Sequence, residues 1–374
     1  MKIIHVLSGL TKGGGERVAV ELANAAAQNG DVVSIIAGWP VDPEFLQKNI
    51  DPKVDIKFVA KTKQLAYLNI APWIINNRKW ISGNDVLHCH LSYGAFFGAM
   101  ASILLKKFSR NKKPVIIETY HAVGMQIPKI DRWIHSRMML FHNGVAFMAK
   151  DPFWDKFMAK HPASKTGIIP NGIKVMQPQN NSGGMPLIKD EHIISNYKYV
   201  VGTVGMLRPD RKPGLYIPIF LDIYKALGEE VHFILAGGGS EFENIKSQVN
   251  ASGLTEQVSM PGLVNNPLDI IAQLTIYVSV SVGDTAGISM IEAAMCGIPV
   301  VGIQLIENYK ANENDWVWSD ADGKEVAKKI IFLLQNPGER EKLVASQNVY
   351  VKKHFTADAM YAAYDAFYKK ILAG

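Results

Sequence analysis

The chain is decided by residues 277–301, which read YVSVSV (Tyr277–Val282), GDTAG (Gly283–Gly287), ISMIEAAMCG (Ile288–Gly297) and IPVV (Ile298–Val301). The first run alternates apolar and small polar residues with a β-branched bias, which predicts a strand. Gly283 and Gly287 punctuate a turn, and Ile288 to Cys296 carries apolar residues at helical spacing up to Gly297, a natural stop. A second apolar run containing Pro299 follows, so the segment is strand, turn, helix, strand. Such a turn leaves unpaired backbone N–H groups at a helix N-terminus, where a diphosphate is stabilised. Two acids frame it, Asp284 in the turn and Glu292 in the helix.

Each acid has a plainer reading. Ser289-x-x-Glu292 has the spacing of a capping box, and Asp284 can close a turn. The combination of an acid, seven residues, Glu292 and then A-A-M-C-G-I-P-V-V is more specific. It resembles the E-x7-E signature of retaining glycosyltransferases of family 4, in which the second Glu holds the ribose hydroxyls of the nucleotide. That resemblance gives Glu292 the ribose role and puts Asp284 near the donor sugar, one methylene shorter than the usual Glu. Thr285, Ala286, Gly287 and Ile288 stand where the family's backbone N–H groups meet the diphosphate.

At 374 residues the chain exceeds one ordinary core, so two domains are expected. Hydrophobic residues at 48% and charged residues at 20% describe a soluble globular protein. The opening MKIIHVLSGL lacks the length and cleavage site of a signal peptide and reads as a buried strand, and no run is long enough to span a membrane. Cys89 and Cys296, the two cysteines, fit a reducing cytoplasm and no disulfide framework. The net charge of +6 suits nucleic acid, an anionic membrane or a phosphorylated ligand. Lys61, Lys63, Arg78, Lys79, Lys106, Lys107, Arg110, Lys112 and Lys113 cluster in the first third, interleaved with Leu65, Tyr67, Leu68, Trp73, Ile74, Trp80, Leu104, Leu105 and Phe108. This pattern fits either a helix on an anionic bilayer or a solvated face over an ordinary core. No nucleic-acid motif accompanies it. The expected location is cytoplasmic, and peripheral at the inner face of the cell membrane if the basic face meets lipid.

In the first half, Lys2–Leu7 predicts a strand, Gly13-Gly14-Gly15-Glu16-Arg17 a turn, and Glu16–Gln28 an amphipathic helix. The dinucleotide fingerprint fails here, because Val18 occupies the third glycine position and no acid ends the second strand. The glycines alone are a tight turn, but the segment resembles the family's G-G-A-E-R loop, whose backbone approaches donor and acceptor. In Asp85–His90, His88 and His90 point to one side of a strand and Cys89 to the other. With no further ligand at zinc spacing, no metal is expected. Val115–Tyr120 is a strand ending at His121. An ordinary strand-end histidine is one reading; the resemblance places His121 beside the reacting anomeric carbon. Ile168–Ile173 (IIPNGI) matches the family's I-P-N-G-I-D before its interdomain linker.

The second half opens with Tyr199–Gly205, a strand running into M-L-R-P-D-R-K-P-G. Cations just after a strand suggest a phosphate clamp or a solvated loop. The family neutralises the diphosphate here with an Arg and a Lys; Arg208 matches the first, and Arg211 or Lys212 the second. His232–Ala236 leads into Gly237-Gly238-Gly239-Ser240, and Gly237 joins the donor-binding set. Val258–Gly262 precedes Leu263 and Val264, which the resemblance assigns to the nucleotide base. Asp320-x-Asp322 has the form of a metal motif of another glycosyltransferase fold, but lies just before a predicted helix, Glu325–Gln335, and reads as its cap. Phe355–Leu372 predicts a terminal helix with Met360, Tyr364, Phe367 and Ile371 on one face.

The resemblance implies an α/β chain of the GT-B class, two facing Rossmann-like domains with a cleft between them. The boundaries are 1–176 for the acceptor-side domain, 177–197 for a linker rich in Pro, Gly and Asn, and 198–354 for the nucleotide-sugar domain, with 355–374 packing back on the first. The implied reaction is transfer from a UDP- or GDP-linked sugar to a hydroxyl of a saccharide or lipid-linked saccharide of the cell envelope, with retention and without metal or other cofactor. The alternatives are a nucleotide-sugar epimerase of the same architecture and a non-catalytic nucleotide-sugar-binding protein.

Overall fold

A computed structural model describes residues 1–10, 13–40, 49–108, 113–121, 128–149, 152–160, 165–174, 197–264, 266–282, 287–304 and 317–374. The chain divides into two compact units. One comprises Met1–Lys174 with His354–Gly374, the other Val175–Lys353.

The first unit holds a sheet in the order β3-β2-β1-β4-β5-β6-β7. Its strands are β1 (Lys2–Gly9), β2 (Val32–Trp39), β3 (Asp55–Phe58), β4 (Val86–His90), β5 (Val115–Tyr120), β6 (Gly144–Phe147) and β7 (Lys165–Ile168). Every pairing is parallel. The intervening helices are α1 (Gly14–Gln28), α2 (Lys63–Asn76), α3 (Arg78–Ser82), α4 (Leu91–Phe108), α5 (Lys129–Met139) and α6 (Pro152–Ala159). Parallel strands require helical crossovers that cover both faces, which is why β1, β2 and β4 are buried almost along their whole length, β1 and β2 mostly with apolar residues and β4 with two histidines among them. The strand order reverses between β1 and β4, and in open α/β sheets ligands bind beyond the carboxyl ends at such a switch.

The second unit repeats this plan in the order β10-β9-β8-β11-β12-β13, again parallel, with its switch between β8 and β11. The strands are β8 (Tyr199–Val204), β9 (Val231–Ala236), β10 (Val258–Gly262), β11 (Ile276–Val282), β12 (Val300–Gln304) and β13 (Trp318–Asp320). Its helices are α7 (Tyr216–Leu227), α8 (Phe242–Ala251), α9 (Pro267–Ile271), α10 (Ile288–Met295), α11 (Gly323–Gln335) and α12 (Pro337–His354). Phe220, Phe233, Val278, Val301 and Ile330 lie fully buried in one core.

The last helix, α13 (Ala357–Leu372), belongs to the first unit. Met360, Tyr364, Phe367 and Ile371 are buried, as their spacing predicts. The P-N-G-I segment is where the returning chain docks. Ile173 N–H donates to Phe355 O at 2.9 Å and Ala357 N–H to Ile173 O at 2.9 Å. A Cβ on Gly172 would sit 2.2 Å from Thr356 O, so only glycine allows this approach.

Two expectations change on contact with the fold. The apolar residues of the basic stretch are not one surface. Ile74 and Leu105 are core, Trp73, Trp80 and Leu104 pack against that core, and Leu65, Tyr67, Leu68 and Phe108 are exposed. Arg110 and Lys112 lie outside the described residues. Ser289 and Glu292 form no capping box either, because α10 starts at Ile288 and its N-cap is Gly287. Asp322 does cap a helix: it accepts from Lys324 N–H at 2.8 Å, while Asp320 accepts from Asp322 N–H at 2.8 Å.

Candidate active site

In the second unit the ends of three adjacent strands are stitched by backbone. Gly205 N–H donates to Ala236 O (2.9 Å), Leu207 N–H to Gly238 O (2.8 Å) and Gly237 N–H to Gly262 O (2.8 Å). Gly237 and Gly239 both take φ of 141°, where a Cβ would meet the carbonyl oxygens of Gly205 at 1.8 Å and Leu207 at 2.2 Å. The glycines thus let the loop after β8 lie directly on the loop after β9. That places Arg208, Arg211 and Lys212 beyond the end of β8; past β10, Leu263 is exposed against Gly238 and Val264 is half-buried.

The cations differ in what they touch. Arg208 is held bidentately by Asp210, with Nε to Oδ1 at 3.0 Å and Nη2 to Oδ2 at 2.8 Å. Arg211 spans the switch point instead, its Nη1 donating to Ser281 Oγ at 3.2 Å at the end of β11. Lys212 is exposed and sits in the left-handed region, φ 45°.

Past Ser281, Asp284, Thr285 and Ala286 lie outside the described residues; Gly287 and Ile288 then open α10. Its N-cap, Gly287, has no side chain to offer, so among the described residues no side chain caps the first N–H groups of that helix. Glu292, one turn in, is 2% exposed. Beneath it, Tyr277 Oη donates to Val204 O at 2.9 Å and Tyr216 Oη to Thr203 Oγ1 at 3.2 Å. Burial, with the Glu292 charge adding, raises the Tyr277 phenol above its ordinary pKa and likewise the Cys296 thiol.

In the first unit, Gly13 is the N-cap of α1, and Gly14 and Gly15 are its first turn, again without a side-chain cap among the described residues. A Cβ on Gly15 would lie 2.7 Å from Leu91 Cδ2 and 3.6 Å from His121 Cγ. The glycine loop therefore rests against His121, at the ends of β1 and β5. Leu91, directly after β4, holds φ of 61°, a costly backbone for a branched residue.

His121 is the end of a histidine chain. Its Nε2 lies 3.2 Å from His90 Nδ1, and His90 Nε2 lies 3.0 Å from His5 Nδ1. His88 is held between Tyr368 Oη and Thr119 Oγ1, both at 2.7 Å. Local spacing around Asp85–His90 could not reveal His5, because β1 pairs in parallel with β4 at His5↔His88 across 83 residues. Among the described residues His5, His88 and His90 are the group that could hold a metal, with one nitrogen from each within 4.8 Å of the others. Both nitrogens of His88 and of His90 already have hydrogen-bond partners, so hydrogen bonding accounts for the cluster. Burial lowers the His5 pKa to about 3 and that of His121 to about 4, and takes His88 and His90 well below the ordinary value.

Glu118 points the other way from β5, into a buried cluster with His135, its hydrogen-bond partner, and with His142 at 2.8 Å. Burial opposes its ionisation, but the two imidazoles outweigh that and hold its pKa at about 2. A cavity of about 690 Å³ lined by Phe147, Met158, Lys165 and Lys370, among others, contains none of the candidate residues.

Two parallel α/β units, each with glycine-bearing loops at its switch point, constitute the GT-B architecture of glycosyltransferases. Residues 12–176 match the model of Glycosyltransferase Family 4, and residues 185–348 that of Glycosyl transferases group 1. The chain belongs to the family 4-like glycosyltransferases. It is 27% identical over 142 residues to the GPI3 subunit of the phosphatidylinositol N-acetylglucosaminyltransferase of Saccharomyces cerevisiae, a match of 37% of this chain and 30% of that protein. It is 24% identical over 187 residues to the O-antigen biosynthesis glycosyltransferase WclY of Escherichia coli, covering 50% of each. The chain thus spans half or less of these curated relatives. The fold of Anabaena Alr3699/HepE, solved in complex with UDP-glucose, superposes with a TM-score of 0.73 at 16% identity, covering 99% of this chain and 100% of that one.

Proposed function

We propose that the chain transfers a glycosyl group from a UDP- or GDP-linked sugar to an acceptor hydroxyl on a lipid-linked or cell-envelope saccharide, with retention and without a metal. The observation that carries this is the Arg211–Ser281 hydrogen bond, 3.2 Å long, which ties a guanidinium to the strand that precedes the glycine-capped N-terminus of α10. A leaving diphosphate gains negative charge as the glycosidic bond breaks, and a fixed cation and helix N–H groups stabilise it without an ion. Arg211 takes the second cation position of the family pattern, Arg208 with its Asp210 partner the first, and Glu292 the ribose. His121 serves the donor sugar. With no carboxylate assigned as nucleophile, attack comes from the front face and the leaving phosphate accepts the acceptor's proton.

The acceptor reading draws on relatives whose names concern phosphatidylinositol and O-antigen. It also draws on Leu65, Leu68 and Phe108, exposed among Lys61, Lys63, Lys106, Lys107 and Lys113. Among the described residues no helix is long and apolar enough to cross a membrane, so attachment would be at the surface. The test is a screen of nucleotide sugars by shift in melting temperature, followed by turnover of the hit and NMR of the product's anomeric configuration. A transferred sugar with retained configuration is expected. Conversion of the donor to its epimer, or binding with no turnover at all, would overturn transfer.

A further inference from the structure

The histidine chain has a direction. A neutral imidazole carries one N–H and one lone pair, so the proton in one link sets the proton in the next. The links are His5 Nδ1 to His90 Nε2 and His90 Nδ1 to His121 Nε2. Were the bonds to run inward from His121, His90 would donate through Nε2 and His5 would carry its proton on Nε2. That atom is buried without a hydrogen-bond partner among the described residues. A buried N–H with no acceptor is rare and costly, whereas a spare lone pair is better tolerated. Run outward, His5 Nδ1–H donates to His90 Nε2, His90 Nδ1–H donates to His121 Nε2, and the atom left over is the lone pair of His5.

We infer that His5 and His90 are positioning residues that lock His121 in the Nδ1–H tautomer, so that it meets its ligand as a hydrogen-bond donor. With Nε2 turned to His90, Nδ1 is the ring nitrogen left for a ligand, and the ring meets the glycine loop through Cγ, which a Cβ on Gly15 would approach to 3.6 Å. The ligand is a hydroxyl or ring oxygen of the transferred sugar, a step that rests on the reading of His121 given above. Burial keeps these rings neutral at physiological pH, as the chain requires.

The test is a long-range ¹H–¹⁵N correlation spectrum of the full chain labelled with ¹⁵N-histidine at pH 7, assigned through single-histidine variants. Protons on Nδ1 of His5, His90 and His121 are expected; a proton on Nε2 of His5 or His121 overturns the inference. A second measurement covers function. His90→Phe should release His121 from the Nδ1–H form and lower kcat about 10- to 100-fold with KM little changed, the range for partners that orient an imidazole. His90→Asn, whose amide can donate from the Nδ1 position, should restore both tautomer and most of kcat. Equal losses in the two variants with the His121 tautomer unchanged would make His90 merely structural and overturn the inference. If the tautomers are as stated but His121→Ala alters neither donor affinity nor turnover, the sugar-site reading of His121 fails while the chain's direction stands.

Discussion

Arg211 donates from Nη1 to Ser281 Oγ at 3.2 Å, joining the loop after β8 to the end of β11 across the switch point of the second sheet. The two residues are 70 apart in sequence. The contact separates two cations that sequence leaves equivalent, because Lys212 is the neighbour whose backbone is left-handed.

Arg211→Ala should weaken nucleotide-sugar binding about 10- to 100-fold, the effect of losing a hydrogen bond to a charged group worth roughly 1.5–3 kcal/mol. Lys212→Gly, which keeps the left-handed backbone, should change affinity by less than about threefold. Calorimetric titration of both variants decides the matter. A larger loss at Lys212 would reverse the assignment.

Turnover should persist in EDTA. The proposed charge stabilisation comes from Arg211 and helix N–H groups, and Asp322 is occupied in capping α11. Activity abolished by chelation and restored by manganese or magnesium would reject the metal-free mechanism.

Acid should destabilise the first unit before its carboxylates titrate. His5 and His121 have folded pKa values of about 3 and about 4, and His88 and His90 are also lowered by burial. A depressed folded pKa contributes stability fully present above the unfolded value near 6.5, lost as pH falls toward the folded one. A buried neutral imidazole such as His5 stabilises the fold by roughly 2 kcal/mol less at pH 5 than at pH 7. Glu118 loses its contribution only as pH falls from its ordinary range toward about 2. His135, raised by Glu118 against its own burial, acts in the opposite sense and loses its contribution as pH rises. Melting temperature should therefore drop between pH 6.5 and 4.5, and drop less steeply in His5→Phe. A flat profile over that window would contradict the neutral cluster.

Anionic vesicles should bind the chain at low salt and release it as salt rises, since each basic residue near such a surface contributes about 1 kcal/mol and is screened beyond a Debye length. Charge reversal at Lys106, Lys107 and Lys113 should weaken binding in a flotation assay without altering donor affinity. Indifference of the wild type to anionic vesicles would favour a soluble acceptor.

Much of this fold is legible in sequence because parallel strands buried on both faces are apolar runs, and Tyr199–Val204, Val258–Gly262 and Val115–Tyr120 sit where the patterning puts them. Local signals also carry the glycine loops and the cap at Asp322. What escapes is set by pairing across distance. The link from His5 to His90 depends on strand register over 85 residues, and Ser281 meets Arg211 only because β11 lies beside β8. The faces of α2 and α4 were equally hidden. Basic residues alternate with Trp73, Trp80 and Leu105 in sequence, but helical geometry puts Leu105 in the core, packs Trp73 and Trp80 against it, and leaves Leu65, Leu68 and Phe108 outside.

The most direct measurement is calorimetric titration of UDP- and GDP-linked sugars into the wild type and Glu292→Ala, with the melting temperature of each protein alone. Glu292 is buried one turn into α10, and the role proposed for it is to hold the ribose. One nucleotide class should bind the wild type, and Glu292→Ala should weaken that binding at least about tenfold, or roughly 1.4 kcal/mol, while remaining folded. Equal affinity in the two proteins, with only the variant's melting temperature reduced, would contradict that role.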